Sequence, residues 1–89
     1  MANKLYWLSY SDNSKPQGQR FAGVVIVEAE NEVDARTAGI LLGADPEWAL
    51  LQEDVTAHAN KIMQHKDFVG TMLNKDGVDM LTAKVRGTN

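Results

Sequence analysis

The chain has 89 residues, which is enough for one small domain, and we treat 1–89 as a single unit. The chain has nine Lys or Arg residues and twelve Asp or Glu residues, and the resulting net charge of -3 leaves no surplus positive charge for a nucleic-acid backbone. Cysteine is absent, which excludes disulfides, zinc ribbons and thiol chemistry. We therefore expect no direct binding of DNA or RNA.

The apolar segments are short. No apolar run approaches the roughly 20 residues that a membrane-spanning helix needs. The apolar segment Leu5–Leu8 is interrupted at once by Ser9, Ser11 and Asp12, which is unlike a signal peptide. We therefore predict a cytoplasmic protein that does not bind membranes.

The first predicted element is a strand over Lys4–Tyr10, because aromatic and apolar residues follow one another there without helical spacing. Alternation places three residues on each face, Leu5, Trp7 and Ser9 against Tyr6, Leu8 and Tyr10. Both faces are largely apolar. We expect both to be covered, either by the rest of this chain or by a partner.

A long exposed loop over Ser11–Gln19 is predicted next, since the segment consists of turn-forming residues. The second predicted strand is Arg20–Ala29, whose nearly continuous apolar run is typical of a strand buried on both faces. Gly23 within this strand indicates a bulge or the close approach of a bulky group, such as a neighbouring aromatic side chain.

A helix is predicted to begin after Asn31, which is a good N-cap residue, and to end near Gly43, at the position that glycine favours after a helix. The sequence Asp45-Pro46 prevents its continuation. Its larger side chains share one side of the helix, whereas small residues keep the helix slim enough to lie close to a sheet. The larger residues are Val33, Thr37, Ile40 and Leu41, and the small ones are Ala35, Ala38 and Gly39.

Three further elements are predicted. Glu47–Glu53 alternates like a third strand, and a second helix is expected from an N-cap at Asp54 to about Lys66. Residues 68–85 form either a hairpin about a turn at 74–77 or a helix beginning at Asp76 or Asp79; good helix-forming residues favour the helix. Residues 86–89 are expected to fray. The predicted fold is α+β, in the order β-β-α-β-α plus this C-terminal element, with two helices packed on a small antiparallel or mixed sheet of about three strands.

Catalytic and metal-binding patterns are not found in the sequence. His58 and His65 are seven residues apart, about 10 Å along a helix at 1.5 Å per residue, which is too far for one metal ion. No serine lies in a nucleophile motif, and the seven glycines form no phosphate-binding loop. We therefore predict no metal, no cofactor and no enzymatic activity, with a small enzyme of unknown class kept as an alternative.

Aromatic and basic residues near the first loop offer a different chemistry. Aromatic rings stack on nucleobases and arginine pairs with phosphate, so this combination suits a nucleotide-like ligand. For Trp7 and Phe21, and less strongly for Trp48, the core of a small sheet is the favoured interpretation, whereas Tyr10, at the mouth of the loop, is expected to be free. The candidate ligand-binding residues are Tyr10, Lys15, Arg20, Arg36 and Trp48.

One stretch of the chain resembles a known group of proteins. The strand Phe21-Ala-Gly-Val-Val-Ile-Val-Glu-Ala29, the helix residue Ala35 and the turn Leu42-Gly-Ala-Asp-Pro46 resemble a pattern in small accessory proteins of bacteriophages and prophages. Such proteins commonly inhibit host defence by binding rather than by turnover. The resemblance implies a host-defence inhibitor in the host cytoplasm.

Two modes of inhibition are open. In the first, a homo-oligomer, favoured by the two apolar faces of the first strand, sequesters a small nucleotide-like signal. In the second, an acidic face blocks a host defence protein, such as a nuclease or another nucleic-acid-binding enzyme. Residues 28–54 hold eight acidic residues and one basic residue, a net charge of -7, so we expect the acidic surface there.

Overall fold

Three strands, β1 (Lys4–Ser11), β2 (Phe21–Ala29) and β3 (Ala49–Asp54), form one antiparallel sheet with β1 in the middle. The computed structural model describes residues 3–87. Helix α1 (Glu32–Leu41) packs on one face of the sheet, and helices α2 (Ala59–Met63) and α3 (Lys75–Gly87) lie on the other. The predicted α+β class and the order of the elements are confirmed.

Both faces of β1 are covered by the chain itself. Tyr6, Leu8 and Tyr10 pack in the cluster that includes Ala35 of α1. On the opposite face, Leu5 packs in the cluster that includes Leu81 of α3. The two apolar faces of β1 are therefore explained within one chain, and they no longer argue for a self-interface.

The hairpin between β1 and β2 is irregular. Its register shifts between Tyr10 and Ser11, where β2 has one extra residue before Gly23. Gly23 is closely approached, as predicted, but the bulky group is Met72 rather than an aromatic side chain: a Cβ atom at Gly23 would lie 2.5 Å from the Met72 sulfur. In the loop, the Asp12 carboxylate accepts hydrogen bonds from the backbone N–H and the hydroxyl of Ser14.

Helix α1 begins as predicted, because the Asn31 side chain accepts a hydrogen bond of 2.9 Å from the Asp34 N–H. It ends at Leu41, and Gly43 then has the left-handed conformation, with φ 116°. The small side of the helix faces the sheet, so the larger side is exposed. Val33 is 61% exposed and Leu41 82%.

The prediction of a continuous second helix over residues 54–66 is wrong. A 3₁₀ turn (Thr56–His58), the short α2 and a second 3₁₀ turn (Lys66–Phe68) replace it. Residues 70–73 are held at the open edge of β2, where the Gly70 N–H donates to the Ile26 carbonyl and Leu73 pairs with Val24. At the predicted start of the helix, Asp54 belongs to β3 and the Val55 N–H donates to the Leu5 carbonyl, so the chain is still paired with β1 there.

The C-terminal element is a helix rather than a hairpin. The Asn74 side chain accepts a hydrogen bond of 2.8 Å from the Gly77 N–H, so the expected turn is instead the first turn of α3. Of the four residues predicted to fray, 86 and 87 have helical backbone, and 88–89 lie outside the described residues.

The acidic segment is exposed, as expected. All eight of its carboxylate side chains face solvent: Glu28, Glu30, Glu32, Asp34, Asp45, Glu47, Glu53 and Asp54. Within residues 3–87, no helix is long and apolar enough to cross a membrane.

Candidate functional site

A groove of about 330 Å³ lies between α1 and β3. It exists because α1 packs on β2 and β1, which leaves the face of β3 beside the helix uncovered. Val33, Thr37 and Ile40 of α1 form one wall, and Leu50 of β3 lies opposite. The larger side of α1, which does not contact the sheet, therefore contributes to a concave surface.

Two aromatic side chains form the floor of the groove. The ring centroids of Tyr10 and Trp48 are 6.0 Å apart, and the rings are tilted by 56°. Trp48 is half-buried, so part of its ring remains open to a ligand. The backbone N–H of Trp48 donates a 3.0 Å hydrogen bond to the Asp45 carbonyl and so closes a turn over residues 45–48. This turn places the Trp48 indole at the end of the groove.

Tyr10 is a core residue rather than the free aromatic that was expected. It is only 3% exposed, and its hydroxyl lies under α1 against Gly39, where a Cβ atom would overlap it. Among the described residues the hydroxyl has no hydrogen-bond partner. Burial raises the pKa of the Tyr10 hydroxyl. Tyr10 therefore offers the groove an aromatic surface but no accessible polar atom.

The groove carries one charge of each sign, on Arg36 and Asp45. The Arg36 guanidinium makes no hydrogen bond or ion pair with any residue in the described range 3–87. The Asp45 carboxylate is already engaged, because it accepts a hydrogen bond of 2.9 Å from the Glu47 N–H. Arg36 is therefore available to bind an anionic group.

The far end of the groove is bridged by a polar contact. Gln52, next to Leu50 on the same face of β3, donates a hydrogen bond of 3.1 Å from its side-chain amide to the Glu32 carbonyl of α1. This bridge connects β3 directly to the first turn of the helix. The bridge lies just beyond the lining residues Leu50 and Val33, at the end of the groove away from Trp48.

Three of the five candidate residues line this groove: Tyr10, Arg36 and Trp48. The other two lie in the β1–β2 loop, outside the groove lining. There the Arg20 side chain donates a hydrogen bond of 3.0 Å from Nε to the Lys15 carbonyl, which braces the loop. Residue spacing in the sequence predicted that the larger side chains of α1 share one side of the helix. It did not predict that this side, or the turn at Asp45 and Pro46, lines a groove.

The remaining aromatic and histidine residues lie elsewhere. Phe21 is 42% exposed and belongs to neither core cluster, contrary to a core role, whereas Trp7 is half-buried on the other face of the sheet. His58 ends the first 3₁₀ turn, and His65 follows α2, so the two do not share one helix. Among the described residues, no group of three or more His, Asp or Glu side chains could hold a metal ion.

A scan against protein-family models found no match for this chain, and neither did searches of the curated proteins and of the solved structures.

Proposed function

We propose that this chain is a non-enzymatic binding protein whose groove holds a small nucleotide-like ligand. The observation that carries the proposal is the convergence of Tyr10, Arg36 and Trp48 on one groove, from separate elements of the fold. A base would stack on the exposed part of Trp48, and a phosphate would pair with the free Arg36 guanidinium.

The size and charge of the groove narrow the ligand class. Its volume of about 330 Å³ is at the lower end of the roughly 300–1,000 Å³ typical of small-molecule sites. Arg36 is the one basic residue within the acidic segment 28–54. A ligand with several negative charges would be repelled there, so we infer a single anionic group, as in a cyclic nucleoside monophosphate.

The biological role proposed is that of a phage-type accessory protein in the cytoplasm of the host. By binding a nucleotide-like signal, it would keep that signal from a host-defence effector. This role rests on the resemblance of the strand beginning at Phe21 and the turn ending at Pro46. A homo-oligomer would enclose the ligand more completely than the open groove of one chain does, and light scattering with and without ligand tests this.

The binding test is a thermal-shift and calorimetric comparison of cyclic AMP, cyclic GMP and ATP. A cyclic mononucleotide at 100 times its Kd should stabilise the protein by about 2.7 kcal/mol. Arg36→Gln should weaken binding about ten- to hundredfold, since a hydrogen bond to a charged group contributes roughly 1.5–3 kcal/mol and each 1.4 kcal/mol is a factor of about ten. Arg20→Gln, which changes a cation outside the groove, is the matched control.

Two results would refute this function. One is the absence of any thermal shift with all three nucleotides. The other is an equal loss of affinity in Arg36→Gln and Arg20→Gln, because binding would then depend on overall charge rather than on the groove.

A second candidate function is the binding of a host protein by the outer side of α1. The specific observation is an exposed apolar surface, with Val33 61%, Ile40 45% and Leu41 82% exposed, within the acidic segment. Leu41→Ser should abolish co-purification of such a partner. Met80→Ser changes an apolar residue of α3 that is 54% exposed, and it should leave the partner bound. Equal effects of the two substitutions would argue against this surface.

A further inference from the structure

A second cavity, of about 440 Å³, lies on the opposite face of the sheet from the groove. Trp7 of β1 and Glu53 of β3 form one side, and Thr82 of α3 lies across from them. Its floor is apolar, because Ile62 and Leu81 are only 4% and 0% exposed. The cavity therefore has an apolar base, and Glu53, His58 and Thr82 are its polar lining residues.

The path of the chain after β3 explains why this space is unfilled. The Val55 N–H still donates to the Leu5 carbonyl, and the chain leaves the sheet after it. The Thr56 hydroxyl then accepts the Leu5 N–H at 3.0 Å and donates to the Asp54 carboxylate at 2.5 Å. These bonds fix the start of the 3₁₀ turn beside β1. The helices that follow pack against Leu5, Val24 and Ile26, so the face of β3 around Glu53 is left uncovered.

Trp7 and Glu53 are directly opposite each other in the β1–β3 register, so their side chains stand on the same face as neighbours. An aromatic ring beside a carboxylate is an arrangement that holds organic cations, since the ring face and the carboxylate both attract positive charge. Among the side chains that the structure describes, Glu53 is the one Asp or Glu in the lining, His58 also lies there, and no Lys or Arg does. An anion would lie beside the Glu53 carboxylate, with no Lys or Arg of the described lining to balance it.

We propose that this cavity is a second binding site, distinct from the groove, that takes a small organic cation with an apolar body. The ammonium group lies between Trp7 and Glu53. The apolar body lies against the half-buried Val55 and Val85 of the lining. The groove and this cavity share β3 but use side chains on its opposite faces, so each can be tested without the other.

The two tryptophans of the chain make the test direct, since Trp7 lines this cavity and Trp48 the groove. In a Trp48→Phe variant, the fluorescence of Trp7 is followed while hexylammonium, hexanol or hexanoate is added at neutral pH. These probes have the same chain and differ in charge. Amide chemical shifts of Thr82 and Val85 provide a second readout that does not depend on tryptophan.

The expected order of affinity is hexylammonium first, then hexanol, then hexanoate. Glu53→Gln should weaken hexylammonium binding about three- to tenfold and leave hexanol unchanged, because it removes the charge and keeps the shape. Glu47→Gln removes an exposed carboxylate of the same acidic segment that does not line the cavity, and it should have no effect.

Equal binding of hexanoate and hexylammonium would overturn the proposal, as would unchanged amide shifts of Thr82 and Val85 at saturating amine. An equal loss in Glu53→Gln and Glu47→Gln would overturn it too, by showing a general charge effect. A Trp7→Phe variant, in which Trp48 reports nucleotide binding, shows separately whether the groove functions.

Discussion

Gly39 and Tyr10 form a contact whose energetics can be tested by paired substitutions. A Cβ atom at position 39 would overlap the Tyr10 hydroxyl and would lie 3.0 Å from Leu8 Cδ1. Gly39→Ala should therefore cost about 1–3 kcal/mol from overpacking, offset by about 1 kcal/mol of improved helix propensity. The expected net result is a destabilisation of about 1 kcal/mol.

Tyr10→Phe should have the opposite sign. The Tyr10 hydroxyl is buried without a partner in the described structure, and such a group costs about 1–3 kcal/mol relative to a satisfied one. Because removing the hydroxyl also loses some packing contacts, the net gain in the free energy of unfolding is expected to be at most about 1 kcal/mol. With the hydroxyl gone, the closest contacts of an alanine at position 39 are 3.0 Å to Leu8 and 3.2 Å to the ring carbon Cζ of residue 10.

The double variant should therefore be more stable than the sum of the single effects, by about 1.5 kcal/mol. Urea unfolding followed by far-UV circular dichroism measures all four proteins, and 1 kcal/mol corresponds to about 4–8 °C in Tm for a domain of this size. Additive effects, or a Tyr10→Phe variant less stable than the native protein, would refute the contact as described.

The pH dependence of stability gives an independent readout of the same hydroxyl. Burial raises the pKa of Tyr10 above the ordinary value of 10.0. Above pH 10.0 the unfolded chain loses this proton first, so the contribution of Tyr10 to stability is complete below that pH and is lost as the pH rises through the raised folded pKa. Tyr10→Phe should remove this part of the alkaline loss, as measured by Tm against pH.

Three further predictions concern other contacts. Thr56→Val should destabilise the protein by about 1 kcal/mol in urea titrations, because it removes the hydroxyl bonds to Leu5 and Asp54, whereas Thr56→Ser should not. Hydrogen bonds from Thr56 lower the pKa of Asp54, so the contribution of the Asp54 carboxylate to stability is complete above pH 3.8 and is lost as the pH falls through the lower folded pKa. Asp54→Asn should therefore reduce the loss of Tm at acidic pH. An unchanged loss would contradict this role of Asp54. Gly23→Ala should lower the Tm and Met72→Ala should partly restore it, since the added Cβ would lie 2.5 Å from the Met72 sulfur; no restoration would contradict the contact.

The parts of the fold that were predicted depend on local patterns. Alternation over Lys4–Tyr10 and the apolar run after Phe21 gave the two strands, because each is buried on both faces. The cap at Asn31 gave the start of α1, since its side-chain bond to the Asp34 N–H involves neighbours in sequence. Patterns of this kind can be recognised from residues that are close in sequence.

The parts that were missed depend on contacts between distant segments. The exposed larger side of α1 follows from a close approach in which Gly39 accommodates the Tyr10 hydroxyl, and the pattern of the helix does not indicate which side faces a sheet. The second helix does not begin at Asp54 because β3 includes this residue and the next N–H, that of Val55, donates to the distant Leu5 carbonyl. The groove is formed by the placement of α1 on β1 and β2 beside β3, which brings together residues distant in sequence, so its apolar wall was not predicted.

The position of β3 at the edge of the sheet has a consequence for dynamics. The Val55 N–H donates to the Leu5 carbonyl, so the antiparallel pattern directs the N–H groups of Leu51 and Glu53 toward β1 and those of Leu50 and Gln52 away from it. Hydrogen exchange along β3 should therefore alternate between slow and fast amides. A local opening that detaches this strand removes one wall from the groove and one from the cavity in the same event, so a ligand in either should slow exchange along the whole strand.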